Sequence, residues 1–357
     1  MYNIIRVTDP KNWISLESEW DTLLEKCPDS STFLTYTWLK TWWDTFSNNE
    51  LFIILIYNDN KLEFIAPLYK VIENSLKKIK FISSKDSDYL NFIIDPNCNI
   101  NKVVNLFIKY LKKYKDWNIA DFHNIPESSF FYKDIEQIFK KKFFITCPKI
   151  QNKCYYINNF DNKKNLIDNF SKTFLKRVKK TSKKLGDYEF VNINENIDEV
   201  LETFFKLHKK RWTTKTSLSR FENKYDRDYF TKITKELFKQ NKMIFAGLKK
   251  DGKFIAFHWN IISSNKIYCY IHIFDSDYVK LSIGSLLMYE LFDRFSGKEY
   301  TEYDLLRGGE HYKNHITNEY RNNMRITIVK NNLITYFKIL GVYISKYLSS
   351  LKKSKNH

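Results

Sequence analysis

The chain carries nearly the same order of elements twice: strand, two helices, three strands (four in the first pass), helix, strand, short helix, strand. The first pass starts with a strand at Asn3–Val7, a helix with Trp13, Leu16, Trp20, Leu23 and Leu24 on one face, and a helix over Tyr36–Phe46. Strands follow at Leu51–Tyr57, Leu62–Val71, Lys80–Ile82 and Tyr89–Ile94, then a helix with Val103, Val104, Phe107 and Leu111. Strand Trp117–Phe122, helix Phe130–Phe139 and strand Phe143–Cys147 close it. The second pass runs strand Tyr188–Ile193, helices Ile197–Arg211 and Tyr225–Phe238, and strands Met243–Lys249, Phe254–Ile262 and Ile267–Phe274. Helix Ser285–Phe295, stopped by Gly297, precedes strand Glu302–Leu306, the Arg307–His315 segment and strand Arg325–Lys330. A return after roughly 185 residues is the period of a duplicated domain, not of a solenoid. The 357 residues suffice for two such cores.

The backbone chemistry of the two passes differs. All eight glycines lie at Gly186 or later, and all six prolines at Pro148 or earlier. The glycine-bearing half is the one where a ligand can approach the main chain. No G-x-G-x-x-G and no P-loop occurs, which excludes two common nucleotide sites. The formal charge of +18 is concentrated. Residues Ser171–Gly186 hold seven Lys/Arg and no acid, on a helix with Phe170, Phe174, Val178 and Leu185 along one face. Residues Lys330–His357 hold six lysines and no acid, with Leu333, Phe337, Leu340, Ile344 and Leu348 at helical spacing. That last segment reads either as a helix closing the second domain or as one that docks on an anionic membrane.

The N-terminus lacks an apolar core of signal-peptide length, and no apolar run is long enough for a bilayer. A cytoplasmic protein is expected, at the inner face of the cell membrane if the last segment docks there and free of it if that segment closes the second domain. Five cysteines without a C-x-x-C pair read as ordinary buried thiols. His311 and His315 form an H-x-x-x-H pair with no identifiable third ligand, so no metal is expected. His258 and His272 fall on strands and face the interior, one of them at the cleft.

Five segments of the second half come in a telling order. They are the basic helix Ser171–Lys180; Leu207-His208-Lys209-Lys210-Arg211-Trp212; Gly252-Lys253-Phe254-Ile255-Ala256; Phe274-Asp275 with Leu281-Ser282-Ile283-Gly284-Ser285-Leu286-Leu287; and Asp304-Leu305-Leu306-Arg307-Gly308-Gly309-Glu310-His311-Tyr312-Lys313. From Ser171 to about Tyr320 the chain resembles the CelD/BcsL-type acetyltransferases of cellulose and exopolysaccharide synthesis, a branch of the GNAT superfamily. That family favours proline where Ile283 stands. In the first half, Phe33–Leu39, Ala66–Tyr69 and Asp88–Phe92 are similar to the wider tandem-GNAT group that includes FemABX ligases.

The resemblance implies an α/β fold of two tandem GNAT-like domains, each a mixed, largely antiparallel twisted sheet flanked by helices. The boundaries expected are 1–157 for a non-catalytic domain and 158–330 for the acyltransferase domain, led by the basic helix 167–186. Residues 331–357 form a basic amphipathic tail. The co-substrate implied is acyl-CoA, acetyl-CoA first, held where strands Ile267–Phe274 and Glu302–Leu306 splay. Its diphosphate is expected at Ser282, Gly284 and Ser285 on a helix N-terminus. Lys313 is carried over as the oxyanion stabiliser. Glu310 reads as general base or as an ion-pair partner of Lys313 and Arg307. His208 reads as a base or as a core histidine beside Trp212.

Arg211, Trp212, Arg307 and Tyr312 are expected around the acceptor, with Trp38, Asp88 and Tyr89 either as a wall for a sugar ring or as core packing. The acceptor implied is a sugar, a lipid-linked saccharide or an amino-sugar. Two rival readings are an aminoacyl-tRNA-dependent ligase of FemABX type, the only reading with a nucleic-acid partner, and an inactive GNAT scaffold.

Overall fold

The computed structural model describes residues 1–129, 132, 144–168, 170–213, 218–330, 333 and 335–341. The helix expected at 130–139 lies outside them except for position 132. Along the chain run β1 (Tyr2–Val7), α1 (Pro10–Ile14), α2 (Glu17–Lys26), α3 (Tyr36–Phe46), β2 (Glu50–Leu51), β3 (Ile53–Asn58), β4 (Lys61–Ala66), β5 (Leu68–Glu73), β6 (Leu76–Phe81), β7 (Ile93–Ile94), α4 (Ile100–Lys113), β8 (Ile119–Pro126) and β9 (Phe144–Asn158). Then come α5 (Lys163–Asp168), α6 (Lys172–Leu185), β10 (Glu189–Ile193), α7 (Ile197–Thr213), α8 (Lys224–Lys239), β11 (Met243–Lys250), β12 (Lys253–Ser263), β13 (Lys266–Phe274), α9 (Ile283–Phe295), β14 (Glu302–Arg307) and β15 (Tyr320–Lys330). The chain is an α/β protein of mixed sheets flanked by helices. Two compact units divide it: 1–39 with 47–152 and 322–357, and 40–46 with 153–321.

In the first unit, strands β1-β3-β4-β7 form one sheet and β15-β8-β6-β5-β2 lie side by side in another. The single strand expected at Leu62–Val71 is two strands in different sheets. Pro67 separates them; it has no N–H to give a ladder, so the chain changes sheets there. The aromatics Phe64, Phe81, Phe92, Phe107 and Phe122 meet in the core, with neighbouring ring centroids 4.9–5.6 Å apart.

In the second unit the strand order is β10-β11-β12-β13-β14-β9. The basic helix forms where expected, as α6, capped by the Ser171 side chain and ending before Gly186 in a left-handed φ of 69°. Its apolar stripe faces α9, with Phe170 stacked on Phe292 at 5.6 Å. Phe204, Phe221, Phe230, Phe245 and Phe257 pack α7 and α8 on the other sheet face. Residues 322–330 belong to the first unit, although the expected second domain ran through 330. The reason is pairing: Asn323–Val329 of β15 run antiparallel to Ile119–Pro126 of β8. Cys27, Cys154 and Cys269 are buried free thiols as read, whereas Cys98 is half-buried and Cys147 exposed.

Candidate functional site

Strands β13 and β14 pair in parallel over only three positions, Lys266↔Glu302, Ile267↔Tyr303 and Tyr268↔Asp304. Beyond them the two strands part. The cause sits in β14. The buried Asp304 carboxylate accepts the Leu306 N–H at 2.7 Å, and Leu306 is turned to φ 57°. A non-glycine residue held there costs roughly 1–3 kcal/mol. The register against β9 slips at the same point. Residues Cys269–Phe274 are thereby left without a strand partner on the β14 side.

Lys313 accounts for the rest of this turn. The residue is 1% exposed, and Nζ donates to the carbonyls of Leu306 (3.1 Å), Arg307 (3.0 Å) and Gly308 (3.3 Å). Glu310 pairs with it at 2.9 Å. Three N–H donors are thus already committed. The expected oxyanion role for Lys313 is corrected: the ammonium clamps the end of β14. Glu310 follows the ion-pair alternative. Gly308 sits at φ 122°, a conformation in which any other residue would be strained, and a Cβ there would also displace the Glu310 carboxylate.

Into the gap between the parted strands comes Tyr312. Its ring meets His272 of β13 edge-on at 5.1 Å, with Oη 3.5 Å from Nδ1. Burial pushes the Tyr312 phenol well above its ordinary pKa, so it stays protonated. Arg211 of α7 reaches the His272 carbonyl at 3.4 Å and lies 4.1 Å over the Phe274 ring. Burial lowers the Arg211 pKa. The Phe274 ring also touches the α9 N-terminus: a Cβ on Gly284 would stand 3.5 Å from it. The Ser282 carbonyl takes the N–H groups of Ser285 and Leu286, and its hydroxyl makes no cap bond. The earlier N–H groups of this helix have no intrahelical partner, as at any helix start.

His208 is a core histidine. It is buried, its Nδ1 lies 2.8 Å from Ser219 Oγ, and its ring contacts Trp212 and Phe221. Burial first, then Arg220 and Arg211, lower its pKa to about 4, so the imidazole is neutral at neutral pH. Trp38, Asp88 and Tyr89 are buried in the first unit rather than forming a wall. The Trp38 indole donates to Ser87 Oγ at 2.9 Å and packs edge-on against Phe33. The sequence puts one of His258 and His272 at a cleft without saying which; the place of His272 beside Tyr312 depends on a turn that no residue pattern announces.

His311 and His315 sit 4.9 Å apart ring to ring, and among the described residues no group of three or more His, Cys, Asp or Glu is arranged for a metal. A separate cleft of about 910 Å³ lies between α7, β10 and the Lys250–Lys253 turn. It shares Asp275 and Tyr278 with the loop before α9 but not His272 or Tyr312.

Residues 169–314 match the family profile described as an acetyltransferase (GNAT) domain. No curated protein matches the chain in sequence. Among solved structures, the chain is similar to FemX, with a TM-score of 0.67 at 12% identity over 94% of this chain and 100% of that one. It is similar to a conserved protein of unknown function from Bacteroides thetaiotaomicron, with a TM-score of 0.62 at 14% identity over 92% and 100%. It is also similar to the C-terminal domain of a putative lysylphosphatidylglycerol synthetase from Agrobacterium fabrum, at 0.55 and 10% over 93% and 96%. At these identities the likeness is one of fold.

Proposed function

We propose that the second unit moves an acyl group, acetyl first, from acyl-CoA to an amine or hydroxyl of a cell-envelope or polysaccharide-related acceptor, as the CelD/BcsL-type resemblance implies. The observation that carries this reading is the opening between β13 and β14, with Tyr312 beside His272 inside it and Gly284 at its mouth. The unpartnered edge of Cys269–Phe274 suits the amide-bearing arm of the donor. The start of α9, with Ser282, Gly284 and Ser285, suits its diphosphate.

In this reading His272 takes the proton from the attacking amine or hydroxyl. Tyr312, kept protonated by burial, gives its proton to the departing sulfur. Arg211 holds the β13 backbone at His272, and Lys313 with Glu310 fixes the turn. The first unit takes no part in the chemistry. Titration with acetyl-CoA and longer acyl-CoAs, followed by a transfer assay, tests this. Tyr312→Phe should keep donor affinity and lower kcat by about 10²–10⁴-fold. A chain that binds no acyl-CoA sinks the reading.

One observation favours an aminoacyl-tRNA donor instead. Lys172, Lys176, Arg177, Lys179, Lys180, Lys183 and Lys184 of α6 are all exposed, and none has an ion-pair partner among the described residues. Binding of charged tRNA without acyl-CoA would decide for it.

A further inference from the structure

The last described helix buries a polar residue and exposes an apolar stripe. Residues 335–341 are helical and belong to the first unit. The position facing inward is a threonine: Thr335 is 0% exposed, and its hydroxyl accepts a 3.1 Å hydrogen bond from Asn118 Nδ2. At 3.6 residues per turn, Leu333, Tyr336, Phe337 and Leu340 fall within about 100° of arc on the side opposite Thr335. They are 74%, 37%, 71% and 55% exposed. A surface helix ordinarily buries such a stripe and exposes its polar face. An exposed apolar stripe of this kind marks a docking surface.

Charge says what covers it. After Glu319 the sequence has no acidic residue, and from Lys330 onward it holds six lysines. Beyond the described residues it repeats the apolar spacing with Ile344, Tyr347 and Leu351 among Lys346, Lys352 and Lys353. A second copy of the chain seated on the stripe would bring lysine against lysine with no acid between them. Apolar residues flanked by lysines alone fit a surface that is apolar below and anionic above.

We propose that the Leu333–Leu340 stripe docks the protein on an anionic lipid bilayer. The large apolar side chains enter the headgroup boundary, and the lysines meet lipid phosphates. Among the described residues no helix is long and apolar enough to cross a membrane. This inference does not depend on the transfer chemistry.

The test is co-sedimentation of the full chain with vesicles of phosphatidylcholine alone and of phosphatidylcholine with phosphatidylglycerol. Binding is expected only to the second kind, and it should weaken with salt. Replacing both Phe337→Ser and Leu340→Ser should reduce it at least about tenfold while the melting temperature holds. Any of four results overturns the proposal: no vesicle binding, equal binding to neutral vesicles, binding unchanged in the double variant, or a dimer that the double variant dissolves.

Discussion

Lys313 gives its N–H donors to the carbonyls of Leu306, Arg307 and Gly308, so its removal leaves a buried turn unsatisfied. Lys313→Met should lower unfolding free energy by about 3 kcal/mol in chemical denaturation, with transfer activity lost in step. A variant that keeps full stability and loses activity would return the ammonium to the chemistry. His208 makes a second prediction. Its pKa is about 4 when folded against an ordinary 6.5, so the unfolded chain binds the proton first. The contribution is fully present above pH 6.5 and is lost as pH falls toward 4, up to ~3 kcal/mol. Thermal melting across that range should show the slope, and His208→Gln should flatten it. An unchanged slope in that variant would mean other groups set it.

Among elements, most of the order and many of the ends were legible, because amphipathic periodicity marks α3, α6, α7 and α8 directly. The helix start around Gly284 and its neighbouring serines was legible too, since glycine there admits close backbone approach. The parting of β13 from β14 was expected only through the family resemblance, and its cause could not be read from the residues. It hangs on one hydrogen bond from the Leu306 N–H to Asp304, and no local composition distinguishes that from an ordinary strand. For Trp38, Asp88 and Tyr89 the sequence left a sugar wall and a packed core both open, since aromatic and carboxylate residues look alike in the two settings; the structure buries all three. The latch gives a further prediction. Asp304→Ala should destabilise the second unit by about 2 kcal/mol and weaken donor binding by calorimetry. Asp304→Asn, which keeps an acceptor oxygen, should retain most of that binding. Equal behaviour of the two variants would remove the latch from the account.

Over the whole molecule, β9 and β15 each contribute residues to both units, so neither half of the sequence holds a complete one. A fragment of residues 1–157 lacks the strand that pairs with Ile119–Pro126. It should therefore show no cooperative melting alone, and should regain it on mixing with 158–357. Independent cooperative folding of 1–157 would refute this. The arrangement of β15 also bears on synthesis. Asn323–Val329 leave the ribosome only after the entire second unit has done so. The half made first is thus the half finished last, held open at β8 across some two hundred intervening residues. Domains ordinarily mature in the order they are translated; here the schedule runs backwards, and the nascent N-terminal half is the natural client for a chaperone.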